Sequence, residues 1–351
     1  MLRLMKLFLI IFAIVLATGF FLYNRGVNSE NNKDGEDIKF KVAQGESVKK
    51  IGANLKARNL IKSTWAFETH VWFNDLEKKF QSGEYILKPG LSAKEVVRIL
   101  TQGEALSKEA SIKIIEGWNL LDIAKYLEKE GRFKEEEFLG LTGYPKIDYR
   151  VNKDLPKPVD YTKEFSFLKD KPTYYGLEGY IFPDTYRVYA DASVDDIIIK
   201  ALVNFDNKLT AEMRDDIKKQ GRTIYEVVTM ASVIEKEVRG EKDMKIVSGL
   251  FWDRIKNQQA LESCATLAYI LGVNKAQYTL ADTKIDSPYN TYQNRGLPPG
   301  PIANPGLTAI KAAIYPEYTD YNYFLNRTDN GETVFSVTYE EHLRNKAKYL
   351  N

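Results

Sequence analysis

The stretch Thr229–Met244, TMASVIEKEVRGEKDM, sets two carboxylates, Glu235 and Glu237, behind an apolar run. On a helical wheel of about 100° per residue, Val227, Met230, Ala231, Val233, Ile234 and Val238 fill one broad arc. Ser232, Lys236 and Arg239 lie opposite. The two glutamates fall about 200° apart on the same wheel, so they cannot work as a pair on one face. Glu237 lies one turn beyond Val233 and Ile234, inside the apolar arc, and Glu235 lies at its other margin. A carboxyl among apolar neighbours loses hydration of its charged form, stays protonated nearer neutral pH and can act as a general acid. The plainer alternative is that both glutamates flank a core helix and pair with lysines. The spacing leaves both readings open.

Other chemistries are narrowed by composition. The 351 residues carry 50 basic and 48 acidic side chains, a balance unlike the basic excess of a nucleic-acid binder. One cysteine, Cys264, excludes an intrachain disulfide and a cysteine zinc site. His70 and His342 lie far apart and make no metal-ligand spacing. No Ser-His-Asp or Cys-His constellation is visible, and neither metal nor cofactor is expected.

A second group of residues suits ligand binding. In DSPYNTYQNRGLPPGPIANPG, Asn290, Thr291, Tyr292 and Gln293 can bind hydroxyls and amides. The prolines that follow, 298, 299, 301 and 305, fix φ and forbid a helix or central strand. The loop must be stiff and lead into a helix at about Leu307. It serves either as the wall of a groove or as a rigid connector with no ligand.

The elements that must position these groups follow from periodicity. IKFKVAQGESVKKIGANLKARNLI reads as strand, Gly turn and amphipathic helix, and FQSGEYILKPGLSAKEVVRILTQG as strand, turn and helix with an S-x-x-E box at Ser92 and Glu95. Together they make a β-α-α-β-α module over 38–103. ASIKIIEGWNLLDIAKYLEKEG echoes the same opening. The Pro-, Lys- and Asp-rich run from Gly143 to Pro172 reads as a long surface excursion. Further helices are expected at roughly 194–220, 223–238, 241–257 and 305–314, then a hairpin around TDNG and a terminal helix capped by Thr338 with Glu341.

At the amino end, Leu7–Tyr23 is uncharged and about long enough to cross a bilayer. Its length exceeds the roughly 7–15 residues of a signal-peptide core, and the one small-x-small triplet, Ala17-Thr18-Gly19, lies inside the run. Arg3 and Lys6 precede it. The expectation is an uncleaved single-pass anchor in the cytoplasmic membrane, with the amino terminus in the cytoplasm and the rest outside.

MASVIEKE, GYIFPDTY, SPYNTY and GLPPGPIANPG, behind that apolar segment, together resemble the endolytic murein transglycosylase (YceG-like) family across essentially the whole chain. The resemblance implies an α+β fold with an N-terminal transmembrane helix, a small LysM-like α+β module and a larger mixed α/β catalytic domain. The implied boundaries are a cytoplasmic end 1–6, anchor 7–23, linker 24–37, LysM-like module 38–103, connecting α+β segment with a long loop 104–173, and catalytic domain 174–351. It implies cleavage of nascent peptidoglycan strands at MurNAc-GlcNAc bonds to leave 1,6-anhydroMurNAc ends, which limits strand length. The second glutamate of the EKE pair, Glu237, is the implied catalyst. Glu178, Asp184, Thr266, Asn290, Thr291 and Tyr292 are implied to bind or orient substrate. Cys264 stands where many members carry an acidic residue, so no catalytic role is given to that position. The implied partners are peptidoglycan strands, the bilayer and peptidoglycan synthases, with no nucleic acid. A membrane-anchored, non-catalytic glycan-binding or scaffold protein of the wall-synthesis machinery is the competing class.

Overall fold

The structure is a computed structural model that describes residues 18–28, 37–87, 90–102, 110–188, 192–275 and 277–350. It is a mixed α+β fold of many helices and small sheets. The chain divides into two compact units, one ending at Ala110 and the other beginning at Ser111.

In the first unit, a helical stretch α1 (residues 18–28) precedes β1 (Ile38–Val42), α2 (Val48–Ala57), α3 (Thr64–Phe73), β2 (Gly83–Leu87) and α4 (Ala93–Gln102). β1 and β2 are antiparallel, in register from Ile38 opposite Leu87 to Val42 opposite Gly83. Strand alternation turns Phe40, Val42, Tyr85 and Leu87 onto one face, where Ile51, Leu55, Phe67, Val96 and Leu100 close a core. Ser47 and Ser63 cap α2 and α3 by accepting from the amides of Lys50 and Ala66. The box at α4 forms both ways: Ser92 Oγ accepts from Glu95 N at 3.3 Å, and Glu95 Oε2 accepts from Ser92 N at 2.8 Å.

The membrane-spanning helix expected over 7–23 is corrected. Among the described residues no helix is long and apolar enough to cross a membrane. Residues 7–17 of the expected span lie outside the described residues. The second half of α1 packs on α3: Val27 is buried, and Tyr23 Oη lies 2.9 Å from His70 Nδ1. The single-pass topology, the membrane localisation, the bilayer as partner and the transmembrane part of the expected fold class all rested on that helix, and all are withdrawn with it.

β3 (Ala110–Lys113), all but its first residue in the second unit, pairs with β4 (Thr185–Val188). Helices α5 (Leu120–Lys129) and α6 (Glu135–Thr142) follow β3, and α7 (Val194–Lys208), α8 (Ala211–Lys219), α9 (Ile224–Glu237), α10 (Glu241–Lys256), α11 (Cys264–Leu271) and α12 (Leu307–Ile314) follow β4. An antiparallel hairpin, β5 (Tyr323–Asn326) and β6 (Thr333–Ser336), leads to α13 (Tyr339–Tyr349). α9 runs through the core, with Val227 to Ile234 all buried, and packs on α10, α11 and α12.

Two sequence expectations change here. The helix expected over 194–220 is two helices, because Leu209 leaves helical geometry and Thr210 caps α8 through Met213 N. Arg214 holds the break by donating to the carbonyls of Asp206 and Leu209. The excursion after α6 is not merely superficial. Tyr161, Phe165, Phe167 and Leu168 are buried, Phe167 stacks on Phe205 with centroids 4.9 Å apart, and Tyr161 Oη donates to Asp195 at 2.6 Å. Large aromatics spaced through a polar segment anchor it to the core.

Candidate active site

α9 ends at Glu237, and Val238 is already extended. The end of the helix is fixed from outside, since Asn326 Nδ2 on β5 donates to the Glu237 carbonyl at 2.6 Å. Glu237 as a whole is half-buried. Its Oε1 accepts from Ser263 Oγ and from the backbone N–H of Ala265 at 3.3 Å. Both donors belong to the first turn of α11. Among the described residues no hydrogen bond engages Oε2. Burial pushes the carboxyl above its ordinary range, while Ser263, the Ala265 amide and the Arg254 guanidinium draw it partly back. An acid with a raised pKa, one anchored oxygen and one open oxygen can give and take a proton.

Thr266 and Thr291 are buried behind this contact. Ser263 N donates to Thr291 Oγ1 at 3.1 Å, Thr266 Oγ1 donates to the Ser263 carbonyl at 2.8 Å, and the two threonine hydroxyls lie 3.0 Å apart. Glu262 turns the chain into this turn with φ 52°, and its N–H donates to the Thr291 carbonyl. Tyr292, next along, places its hydroxyl 3.1 Å from Cys264 Sγ. Burial raises both the Cys264 thiol and the Tyr292 phenol, and the charge of Glu237 adds to each. Tyr292 also lines an open groove of about 1030 Å³ together with Arg254, Glu262, Arg295, Tyr321 and Tyr323. Glu237 is not itself among the lining residues, but two that are, Arg254 and Tyr292, are coupled to its carboxyl electrostatically. Arg254 donates to the carbonyls of Leu261 at 2.6 Å and Asn322 at 3.0 Å, which fixes the groove wall.

The remaining residues singled out by sequence lie elsewhere. Asn290 is buried and stitches its own loop: Nδ2 donates to the carbonyls of Thr283 and Ile285, and Oδ1 accepts from Tyr292 N at 3.0 Å. Glu178 is buried and accepts from Leu120 N at 3.0 Å, Tyr269 Oη at 3.3 Å and Asn304 Nδ2 at 3.3 Å. Desolvation pushes it up to about 8. Asp184 is exposed beside β4 and accepts from Asn204 Nδ2 at 2.9 Å. Neither acid lines the groove.

The proline-rich loop is a buried connector. Tyr225 Oη donates to the Pro299 carbonyl at 2.7 Å, Ile302 N donates to Ser232 Oγ at 3.0 Å, and Asn304 bonds to Trp118, Ile181 and Glu178. At its end Gly306 N donates to Glu235 Oε2 at 2.9 Å. The loop thus meets Glu235, and the segment Ser287–Gln293 flanks Glu237.

Ser263 and Arg254 are the site residues that sequence reasoning passed over. A serine directly before the apolar helix CATLAYIL was a visible cap signal, although its actual partner is 26 residues upstream.

Comparison with known proteins bears on this geometry. The YceG-like family model matches residues 40–348. An endolytic murein transglycosylase of Bacillus subtilis (strain 168) is 33% identical over 335 residues, covering 95% of this chain and 91% of its own length. An endolytic murein transglycosylase of Streptococcus pneumoniae serotype 2 is 29% identical over 361 residues, covering 98% of this chain and 64% of its own. A crystal structure of a yceG-like protein from Listeria monocytogenes is similar with a TM-score of 0.56 and 32% identity, over 89% of this chain and 99% of that one. The chain belongs to the YceG-like family of endolytic murein transglycosylases. Membership in a family of enzymes supports a catalytic role for it.

Proposed function

We propose that the chain is an endolytic lytic transglycosylase that cleaves peptidoglycan strands at MurNAc-GlcNAc bonds and leaves 1,6-anhydroMurNAc ends, with Glu237 as its acid and base. The observation that carries this reading is the Glu237 carboxyl: one oxygen tied to the start of α11, the other without a hydrogen bond among the described residues, and under the charge of Arg254, which itself lines the polar groove. Glu235 and Glu178 are committed to the backbone amides of Gly306 and Leu120, while Asp253, Glu262 and Asp320 line the groove itself.

A hydrolase usually needs a second carboxylate to activate water or form a covalent intermediate. A lytic transglycosylase does not, because the nucleophile is the C6 hydroxyl of the muramic sugar. Glu237 protonates the leaving glycosidic oxygen and then, as a carboxylate, accepts the C6 hydroxyl proton while that oxygen closes on C1. Thr266, Thr291 and Tyr292 support the site, and Asn290 shapes the loop that carries Tyr292. In this reading the catalytic domain spans 174–351, and the 38–103 module is a LysM-like element that holds glycan.

The test is digestion of purified glycan strands with mass spectrometry of the new ends. Wild type should release anhydro-ended fragments and Glu237→Gln none. Reducing ends would make the chain a hydrolase, and wild-type release by Glu237→Gln would remove Glu237 from the chemistry.

A further inference from the structure

A serine at an N-cap ordinarily accepts a hydrogen bond from the backbone N–H of the second or third helical residue. In this chain Ser47, Ser63, Asn119, Ser193, Thr210, Thr223 and Thr338 all do so. Ser263, at the N-cap of α11, does not. Its hydroxyl donates instead to Glu237 Oε1, and the Ala265 N–H that it would have capped goes to the same oxygen. The carboxylate has taken the place of the cap. Ser263 is itself held on both sides by the buried Thr266 and Thr291 hydroxyls.

We propose that Ser263 is a positioning residue of the reaction: by donating to Oε1 it reserves Oε2 as the oxygen that carries, releases and reclaims the proton. This rests on the reading of Glu237 as acid and base. An ionised carboxylate only accepts hydrogen bonds, and a proton placed on Oε1 would point at two donors. The protonated form therefore keeps its hydrogen on Oε2, toward the open side. When Oε2 gives that proton to the glycosidic oxygen, the bond from C1 to that oxygen breaks and charge appears on the carboxylate. The Ser263 O–H and Ala265 N–H bonds to Oε1 become charge-assisted at that moment and strengthen. The bond from O6 to C1 then forms, and the proton released by the C6 hydroxyl returns to Oε2. One proton leaves and one returns.

The test measures kcat, KM and the pH dependence of kcat on purified glycan strands for the intact chain. Ser263→Ala removes a donor that favours the charged carboxyl, so the alkaline limb, where the general acid ionises, should move to higher pH. Arg254 from α10, Cys264 from α11 and Tyr292 from the adjoining loop also face Glu237, and they are unchanged in the variant. The kcat should fall about 10- to 100-fold, the worth of a hydrogen bond to a charged group, with KM little moved. Ser263→Thr, which keeps the hydroxyl, should restore both the rate and the wild-type limb. Should Ser263→Ala fail to fold by circular dichroism, Ser263→Cys, a weaker donor of similar shape, should shift the limb in the same direction. A wild-type limb in the folded variant, or a loss confined to KM, overturns the assignment. Glu237→Gln run alongside separates the two ideas: if it stays active the underlying reading fails, and if it is inactive while the Ser263 variants match wild type, only the role of Ser263 fails.

Discussion

Glu235 and Glu237, two residues apart on α9, each hold the start of a different helix. Glu235 Oε2 accepts from Gly306 N at 2.9 Å, at the N-cap of α12, and Glu237 Oε1 accepts from Ala265 N at 3.3 Å, in the first turn of α11. Their near-opposite directions on the helix send one to a buried connector and the other to the start of α11. Burial raises both carboxyls above the ordinary range. What separates them is what else surrounds them: Glu235 meets the Gly306 amide, Glu116 and Lys236, and Glu237 meets the Ser263 hydroxyl, the Ala265 amide and Arg254.

Glu235→Ala should therefore weaken the fold and spare the chemistry. The Gly306 amide loses its acceptor in a partly buried place, a cost of about 1–3 kcal/mol. Urea unfolding of the variant should show that loss, while kcat per folded molecule stays within about threefold of wild type. Glu237→Gln should do the reverse, since removal of a general acid or base costs about 10²- to 10⁴-fold in rate. If the two variants lose activity alike, the division of labour is wrong.

Glu178 makes stability depend on pH. Its carboxyl holds a proton up to about 8 in the folded chain, against an ordinary value of 4.5. Between those values the folded state keeps a proton that the unfolded chain has released, so stability should fall as pH rises from about 4.5 to about 8, by a few kcal/mol. Glu178→Gln should flatten that slope. Its amide oxygen can still accept from Leu120 and Asn304, and its NH₂ can donate to the Tyr269 oxygen. Thermal melting at pH 5 should be little altered, and at pH 8.5 the variant should melt higher than wild type. A parallel slope in both proteins would remove Glu178 as the source.

Much of the local architecture was legible before any coordinates. Ser92 with Glu95 and the strand alternation at Phe40, Val42, Tyr85 and Leu87 are local signals, and local signals survive folding. The wheel through Val233, Ile234 and Glu237 separated the directions of Glu235 and Glu237 because helix geometry alone fixes the direction of each side chain. Long-range partners were not legible. Nothing in LESCATLAY says that Ser263 bonds to Glu237 rather than to its own helix, and nothing in GPIANPG says that Asn304 reaches Trp118, 186 residues earlier. The break at Leu209 was hidden because Arg214, from the next helix, donates to the freed carbonyls of Asp206 and Leu209. In the described end of the apolar amino-terminal run, hydropathy counts residues and does not see that Tyr23 bonds to His70 on α3.

Gly179 is required by the approach of the proline loop to α9. It has φ +89°, and an added Cβ would lie 2.6 Å from Cβ and Cγ of Pro301 and 2.8 Å from Cγ1 of Val228. Neither neighbour can move freely, because Pro301 is in the rigid connector and Val228 is fully buried. Gly179→Ala should cost about 2–4 kcal/mol, from left-handed backbone strain and overpacking together. Urea unfolding measures it, and a cost under about 1 kcal/mol would show that the loop yields.

Asn304 joins three segments at one amide. Its Oδ1 accepts from Ile181 N at 2.9 Å, and its Nδ2 donates to the Trp118 carbonyl at 2.9 Å and to Glu178 Oε1 at 3.3 Å. Asn304→Ala leaves a buried N–H, a carbonyl and a carboxyl each short of a partner, so it should destabilise the chain by about 3 kcal/mol or more. Because Asn304 and Glu178 share a hydrogen bond, their effects should not add. A double-mutant cycle with Glu178→Ala, which removes the acceptor that Glu178→Gln would keep, should return a coupling of about 0.5–3 kcal/mol by urea unfolding at neutral pH. Strict additivity would mean that the 3.3 Å contact carries no energy and that Asn304 acts through Trp118 and Ile181 alone.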